Sequence, residues 1–226
     1  MDEQTVLSAA MFVGIDEIES RALMDAMVKV ESHRGDVLFR EGQVGNRLYV
    51  IARGKIKLGH SSSDGRENLL SVLGPGEMFG ELSLFDPGPR TATATSVADS
   101  VCYELSHQAF AQWITDHPGV AKHLLAAIAK RLRRTNESLG DLVFSDVPGR
   151  VAKALLDLAS RFGDRSGSDG VRVAGDLTQE ELAQLVGASR ETVNKALSDF
   201  AARGWLHRDG RTIVLQDLGR LERRAR

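Results

Sequence analysis

The chain has a single cysteine, Cys102, in 226 residues. One thiol excludes an internal disulfide and cannot by itself hold a zinc or iron–sulfur centre. It falls in the alternating run Ser100-Val101-Cys102-Tyr103-Glu104-Leu105, where a small buried hydrophobe is expected. No stretch approaches the roughly 18 apolar residues of a membrane-crossing helix, so no membrane partner is expected. Met1-Asp2-Glu3-Gln4 lacks the basic stretch and apolar core of a secretory signal, and the cytoplasm is the expected compartment. A catalytic set of nucleophile, base and orienting group is missing, and the histidines at 33, 60, 107, 117 and 123 are scattered. Neither catalytic residues nor a metal site is expected.

Net charge is also nearly missing, at −2, but its distribution is uneven. Up to Asp146 there are 15 basic and 20 acidic residues; from Val147 onward there are 14 and 11. A mildly basic last third permits a nucleic-acid module there without establishing one.

What is present divides by texture. Residues 5–30 place apolar side chains at three- and four-residue steps, broken by Gly14, which predicts two short helices. From about Arg34 to Leu105 glycines recur between short alternating runs such as Val37-Leu38-Phe39, Leu48-Tyr49-Val50-Ile51 and Lys55-Ile56-Lys57-Leu58. That pattern predicts an antiparallel sandwich or jelly roll, with a hairpin turn at Asp64-Gly65. The loop Gly80-Glu81-Leu82-Ser83-Leu84-Phe85-Asp86-Pro87-Gly88-Pro89-Arg90-Thr91 interrupts it. A helical turn at Gly80–Ser83 would present backbone N–H groups to an anion, Arg90 would add a charge-assisted contact to phosphate, and Glu81 would accept from a ribose hydroxyl. On composition alone the loop reads equally as a surface turn with a local Glu–Arg ion pair.

Residues 106–117 predict a short helix and 119–145 a long one. The long helix carries Leu125, Ile128, Leu132, Thr135, Leu139 and Leu142 at alternating steps of three and four. This heptad seam suits a second copy of the chain; packing on its own β domain is the alternative. Lys130, Arg131, Arg133 and Arg134 read as solvated flank. Residues 146–150, Asp-Val-Pro-Gly-Arg, predict a linker, because Pro148 disfavours helix at Val147. Beyond it a helix is expected over 151–162. Thr178 with Glu181 makes a capping box, Gly187 a turn, and Ser189 with Thr192 a second helix start. Trp205–His207 and Thr212–Leu215 flank an Asp-Gly turn, which makes a wing. Helix–turn–helix plus wing predicts nucleic-acid binding.

In this order, Phe79-Gly80-Glu81-Leu82-Ser83, Pro89-Arg90-Thr91-Ala92, Arg133-Arg134-Thr135-Asn136, the run 146–150 and Ser189-Arg190-Glu191-Thr192-Val193 resemble the cAMP receptor protein (CRP/FNR) family. The resemblance spans roughly residues 10–217. It implies an α+β chain with a cyclic-nucleotide-binding β-roll over 1–118, a dimerisation helix over 119–145, a hinge at 146–150 and a winged helix–turn–helix over 151–226. It implies cyclic AMP as ligand, with phosphate at Arg90, Thr91, Ser83 and the amides after Gly80, including Leu82. Ribose would fall to Glu81, and adenine to Thr135 and Asn136, one of them from a partner subunit. It implies a homodimer on double-stranded DNA, with RNA polymerase as a further partner. Arg190, Glu191 and Lys195 would read base edges, with Thr178, Ser189, Thr192 and Asn194 supporting them at the DNA. A two-fold dimer implies a palindromic site with half-sites about 34 Å apart, and the resemblance implies TGTGA-like half-sites. Lys195 stands where familiar members carry arginine, and Asn136 where they carry serine. One cysteine fits the redox-sensing branches poorly.

Overall fold

The computed structural model describes residues 2–61, 67–86, 88–165, 170–173 and 175–225. The expected Asp64-Gly65 turn, Pro87 and positions 166–169 of the polar loop lie outside these. The chain divides into two compact units, residues 1–133 and 134–226. The division falls inside the long helix, so the expected linker 146–150 lies within the second unit.

The first unit opens with α1 (Asp2–Leu7), a 3-10 turn (Ala10–Phe12) and α2 (Glu17–Asp25). Asp16 caps α2 by accepting from the Glu19 amide at 2.8 Å. The helical expectation to residue 30 ends early. Val28–Ser32 is strand β1, held by antiparallel pairing from Val28 opposite Glu104 to Ser32 opposite Ser100. The strands β2 (Val37–Phe39), β3 (Arg47–Arg53), β4 (Ile56–Ser61), β5 (Glu67–Leu73) and β6 (Met78–Phe79) follow. Then come α3 (Leu82–Phe85), β7 (Thr93–Ser96), β8 (Ser100–Ser106), α4 (His107–Asp116) and α5 (Val120–Phe144). Two four-stranded antiparallel sheets result, in the orders β1-β8-β3-β6 and β2-β7-β4-β5.

Strand β3 explains how two cores form. Leu48, Val50 and Ala52 point one way, into a cluster with Met11, Phe12, Phe110, Trp113 and Leu124. Tyr49 and Ile51 point the other way, into the space between the sheets with Phe39, Ile56, Phe79, Ala94 and Cys102. Burial pushes the Cys102 thiol up to about 12, so it stays protonated and acts as packing.

In the second unit α6 spans Val147–Phe162, four residues earlier than expected. Pro148 sits in its first turn, where a missing N–H leaves no hydrogen bond unmade. Asp146 caps it, accepting from the Gly149 amide at 2.9 Å. Then come β9 (Val171–Val173), α7 (Gln179–Val186), α8 (Arg190–Ala202), β10 (Leu206–Asp209), β11 (Thr212–Leu215) and α9 (Leu218–Arg224). The strands form one sheet in the order β10-β11-β9. Asp209 pairs with Thr212, so the two loop residues of the wing are Gly210, at φ 59°, and Arg211; a positive φ at the first position is the one a tight hairpin needs. Val151, Leu155, Leu182, Val193, Leu197, Phe200 and Leu215 close the core.

Candidate functional site

The loop after β6 closes around one buried cation, Arg90. Gly80 takes φ 77°, and a side chain there would stand 2.7 Å from Arg90 Nη1, so glycine is required twice over. Arg90 is 5% exposed. Its Nη1 donates to the Gly80 carbonyl at 2.8 Å and its Nη2 to the Arg47 carbonyl at 2.7 Å. Its guanidinium carbon lies 4.1 Å from the centre of the Phe39 ring. Phe39 belongs to a three-ring platform in which Tyr49 and Phe79 stack at 5.0 Å. Burial lowers the Arg90 pKa from the ordinary arginine value, opposed by Tyr49 and Glu81. Backbone carbonyls and a ring face hold this cation in place without neutralising it, and Nε is buried with no partner.

Glu81 is the complementary half. It is 3% exposed. Oε1 accepts from Arg131 on α5 at 2.8 Å, while Oε2 is buried with no partner. A buried orphan donor and a buried orphan acceptor on one loop both call for a partner: an anion suits Arg90 and a hydroxyl suits Glu81. Ser83 is buried beside them, whereas Leu82 and Thr91 are exposed. The structure thus brings Gly80, Glu81, Ser83 and Arg90 together. Thr135 and Asn136 belong to the second unit, where both are exposed on α5.

Two residues of the site escape a reading of the sequence. Gly45 is brought in by pairing of the segments around it. The Arg90 amide donates to Gln43 and the Gly42 amide to the Arg90 carbonyl, at 2.7 and 2.8 Å, and Val44 bridges Pro89. A side chain on Gly45 would stand 2.3 Å from Ser83 Oγ and 2.9 Å from Arg90 Nε. Arg131 is the other. It is not solvated flank; it continues the face of Val120 and Leu124, both buried, at helical spacing. That phase was the available signal.

In the second unit the helix–turn–helix is capped as expected. Thr178 and Glu181 form a reciprocal capping box, and Gly187 ends α7 in the left-handed conformation at φ 63°. Ser189 caps α8 by accepting from the Thr192 amide at 3.2 Å. The Thr178 and Ser189 hydroxyls are thus engaged in caps. On α8, Val193, Ala196, Leu197 and Phe200 face the core, leaving Arg190, Glu191, Thr192 and Lys195 exposed. Asn194 is half-buried and its Oδ1 is buried without a partner, so this carbonyl is turned away from the exposed face.

Comparison with known proteins matches both units. Residues 29–117 match the cyclic nucleotide-binding domain family, and residues 149–224 the Crp-like helix-turn-helix domain family. The chain is 52% identical over 226 residues to the CRP-like cAMP-activated global transcriptional regulator of Mycobacterium tuberculosis, covering 100% of both. It is 36% identical over 189 residues to the cyclic AMP receptor protein of Thermus thermophilus, covering 84% of each. Among solved structures, the c-di-GMP responsive global regulator CLP of Xanthomonas campestris aligns with TM-score 0.77 at 27% identity, over 88% of this chain and 99% of that one.

Proposed function

The chain belongs to the CRP-like family of DNA-binding transcription regulators, which are not enzymes, and from that premise we propose that it is a cAMP-responsive regulator acting as a homodimer on palindromic TGTGA-type DNA. The single observation that carries the ligand is the paired deficiency at the site. Arg90 has a buried N–H to give and Glu81 a buried oxygen to receive with, which fits a cyclic phosphate fused to a ribose. The residues present fit that group. Gly45 and Gly80 clear the space, Ser83 sits beside Arg90, and Leu82 and Thr91 are assigned to the rim. Thr135 and Asn136 are assigned to the base.

Arg131 gives the site an output. It holds Glu81, and it lies on the helix whose Leu125, Leu132, Leu139 and Leu142 are 65%, 59%, 57% and 49% exposed. A seam so apolar and so uncovered fits a second copy of this chain. A hydroxyl bound to Glu81 changes what Arg131 is held by, and so biases α5. The ligand then acts by its differential affinity for two arrangements of the recognition helices. Arg190 is assigned to guanine and Glu191 to the cytosine amine, with Lys195 at the inner base; Ser189, Thr192, Thr178 and Asn194 support the helix at the DNA. RNA polymerase is a proposed partner and the cytoplasm the proposed compartment.

The test is titration of the chain with cAMP, cGMP and c-di-GMP while following binding to a TGTGA-type palindrome by fluorescence anisotropy. Tightening by cAMP supports the reading. Tightening by c-di-GMP alone, or none with any nucleotide, overturns it.

A further inference from the structure

Helix α9, basic in its last turn through Arg223 and Arg224, is docked on the second unit. Asp217 caps it, accepting from the Arg220 amide at 2.8 Å, and Leu221 is fully buried in the core of the second unit. Its last turn lies over the first turn of α6. A side chain on Gly149 would stand 3.3 Å from both the Arg224 carbonyl and Arg224 Nη1. Arg224 Nη2 donates to Asp146 Oδ2 at 2.5 Å, across 78 positions of sequence. Asp146 Oδ1 meanwhile accepts from the Gly149 amide. One carboxylate therefore both starts α6 and receives the end of α9. Arg224 first, and the Gly149 amide second, hold the Asp146 carboxyl below its usual pKa.

Only Ser145 and Asp146 separate α5 from α6, and both are gripped. Arg150 Nη1 donates to the Ser145 carbonyl at 2.7 Å, while its Nε and Nη2 donate to the Val186 and Gly187 carbonyls at 2.8 and 3.2 Å. Arg150 thus ties the junction to the turn that precedes α8. Asp141 of α5 pairs with Lys153 of α6 at 2.6 Å, and Leu142 packs against Gly187. Arg150 reaches the junction from within α6, and Arg224 reaches it from beyond the wing.

We propose that α9 is a clasp on the α5–α6 junction, and that the Arg224–Asp146 contact couples the last turns of α5 to the helix–turn–helix so that the ligand response reaches the recognition helix. This rests on the cAMP-responsive reading above. The pair is suited to bias rather than lock, since Asp146 is 61% and Arg224 33% exposed and such pairs are individually weak.

The experiment uses the full chain and one number: the ratio of duplex dissociation constants without and with saturating cAMP. Arg224→Ala and Asp146→Asn are each expected to lower that ratio at least threefold. Asparagine keeps the cap on α6, so Asp146→Asn isolates the ion pair. The double variant should lower the ratio no further than either single one, because both remove one contact, and Arg224→Lys should retain most of it. If the variants weaken DNA binding equally with and without cAMP, leaving the ratio at the parent value, α9 is only packing and the proposal fails. A parent chain whose ratio is already one overturns the cAMP-responsive reading, and the clasp with it.

Discussion

Glycine at position 45 is dictated by its neighbours rather than by its own backbone. Its φ is not among the positive values of the chain, so alanine fits the conformation but not the space, with Ser83 Oγ 2.3 Å away from the added carbon. Gly45→Ala should displace Ser83 and Arg90 and so lower cAMP affinity about tenfold or more by calorimetry, and it should also lower the melting temperature, since overpacking of this kind costs about 1–3 kcal/mol of stability. Arg90→Ala should abolish cAMP binding with the fold retained, because the neighbouring hydroxyls and amides carry no charge to replace the guanidinium. Unchanged cAMP affinity in that variant removes Arg90 from the site. The sequence pointed to Arg90 and Glu81, which carry charge in a Gly/Pro loop where charge needs a reason. Gly45 was not legible, because Gly42-Gln43-Val44-Gly45 looks like many turns until its pairing with Arg90 is known.

At the scale of elements, α5 does two jobs on two phases. Val120, Leu124 and Arg131 serve the β-roll side, and Leu125, Leu132 and Leu139 remain mostly exposed, with Leu142 partly covered by Gly187. Leu132→Lys and Leu139→Lys should therefore leave the monomer fold intact and weaken dimerisation, because each removes an apolar contact worth about 1.5–3 kcal/mol from both copies. Sedimentation equilibrium reads this directly; a dimer of undiminished affinity in the double variant would reassign the seam. The heptad was visible because leucine spacing survives any tertiary context. Strand β1 was missed, since Val28-Lys29-Val30-Glu31 alternates but follows a helical run, and only its partner β8 decides where the helix stops. The start of α6 is hidden in the sequence for a similar reason: Pro148 reads as a breaker until the Asp146 cap makes it a first-turn residue.

Across the whole molecule, the charge division near Asp146 does not coincide with the physical one after Arg133; the end of α5 touches the rest of the second unit through Asp141 with Lys153 and Leu142 against Gly187. The two units should consequently differ in how pH affects them, and each holds one of the two tryptophans, Trp113 in the first and Trp205 in the second. His117, in the first unit, has Nδ1 on the Trp113 carbonyl at 2.9 Å and Nε2 on Glu19 at 3.1 Å. Both nitrogens face acceptors, so the geometry is satisfied only by the doubly protonated ring. The Trp113 carbonyl first, then Glu19, raise its pKa above the ordinary value. A raised folded pKa stabilises fully below about 6.5, the unfolded value, and the contribution fades as pH rises through the folded one. Asp146, in the second unit, is lowered, so its contribution is complete well below neutrality and is lost only in acid. Between pH 6 and 8.5 the first unit should therefore lose up to about 1 kcal/mol from this pair, with no matching loss from Asp146 in the second. Trp205→Phe and Trp113→Phe variants report each unit separately in thermal melts. Because the Trp113 and His117 rings stack at 5.1 Å, the emission of Trp113 in folded Trp205→Phe should also rise as the imidazolium that quenches it deprotonates. Glu19→Gln should move that midpoint down, and a midpoint that does not respond to Glu19 would mean that the ion pair is not formed in solution.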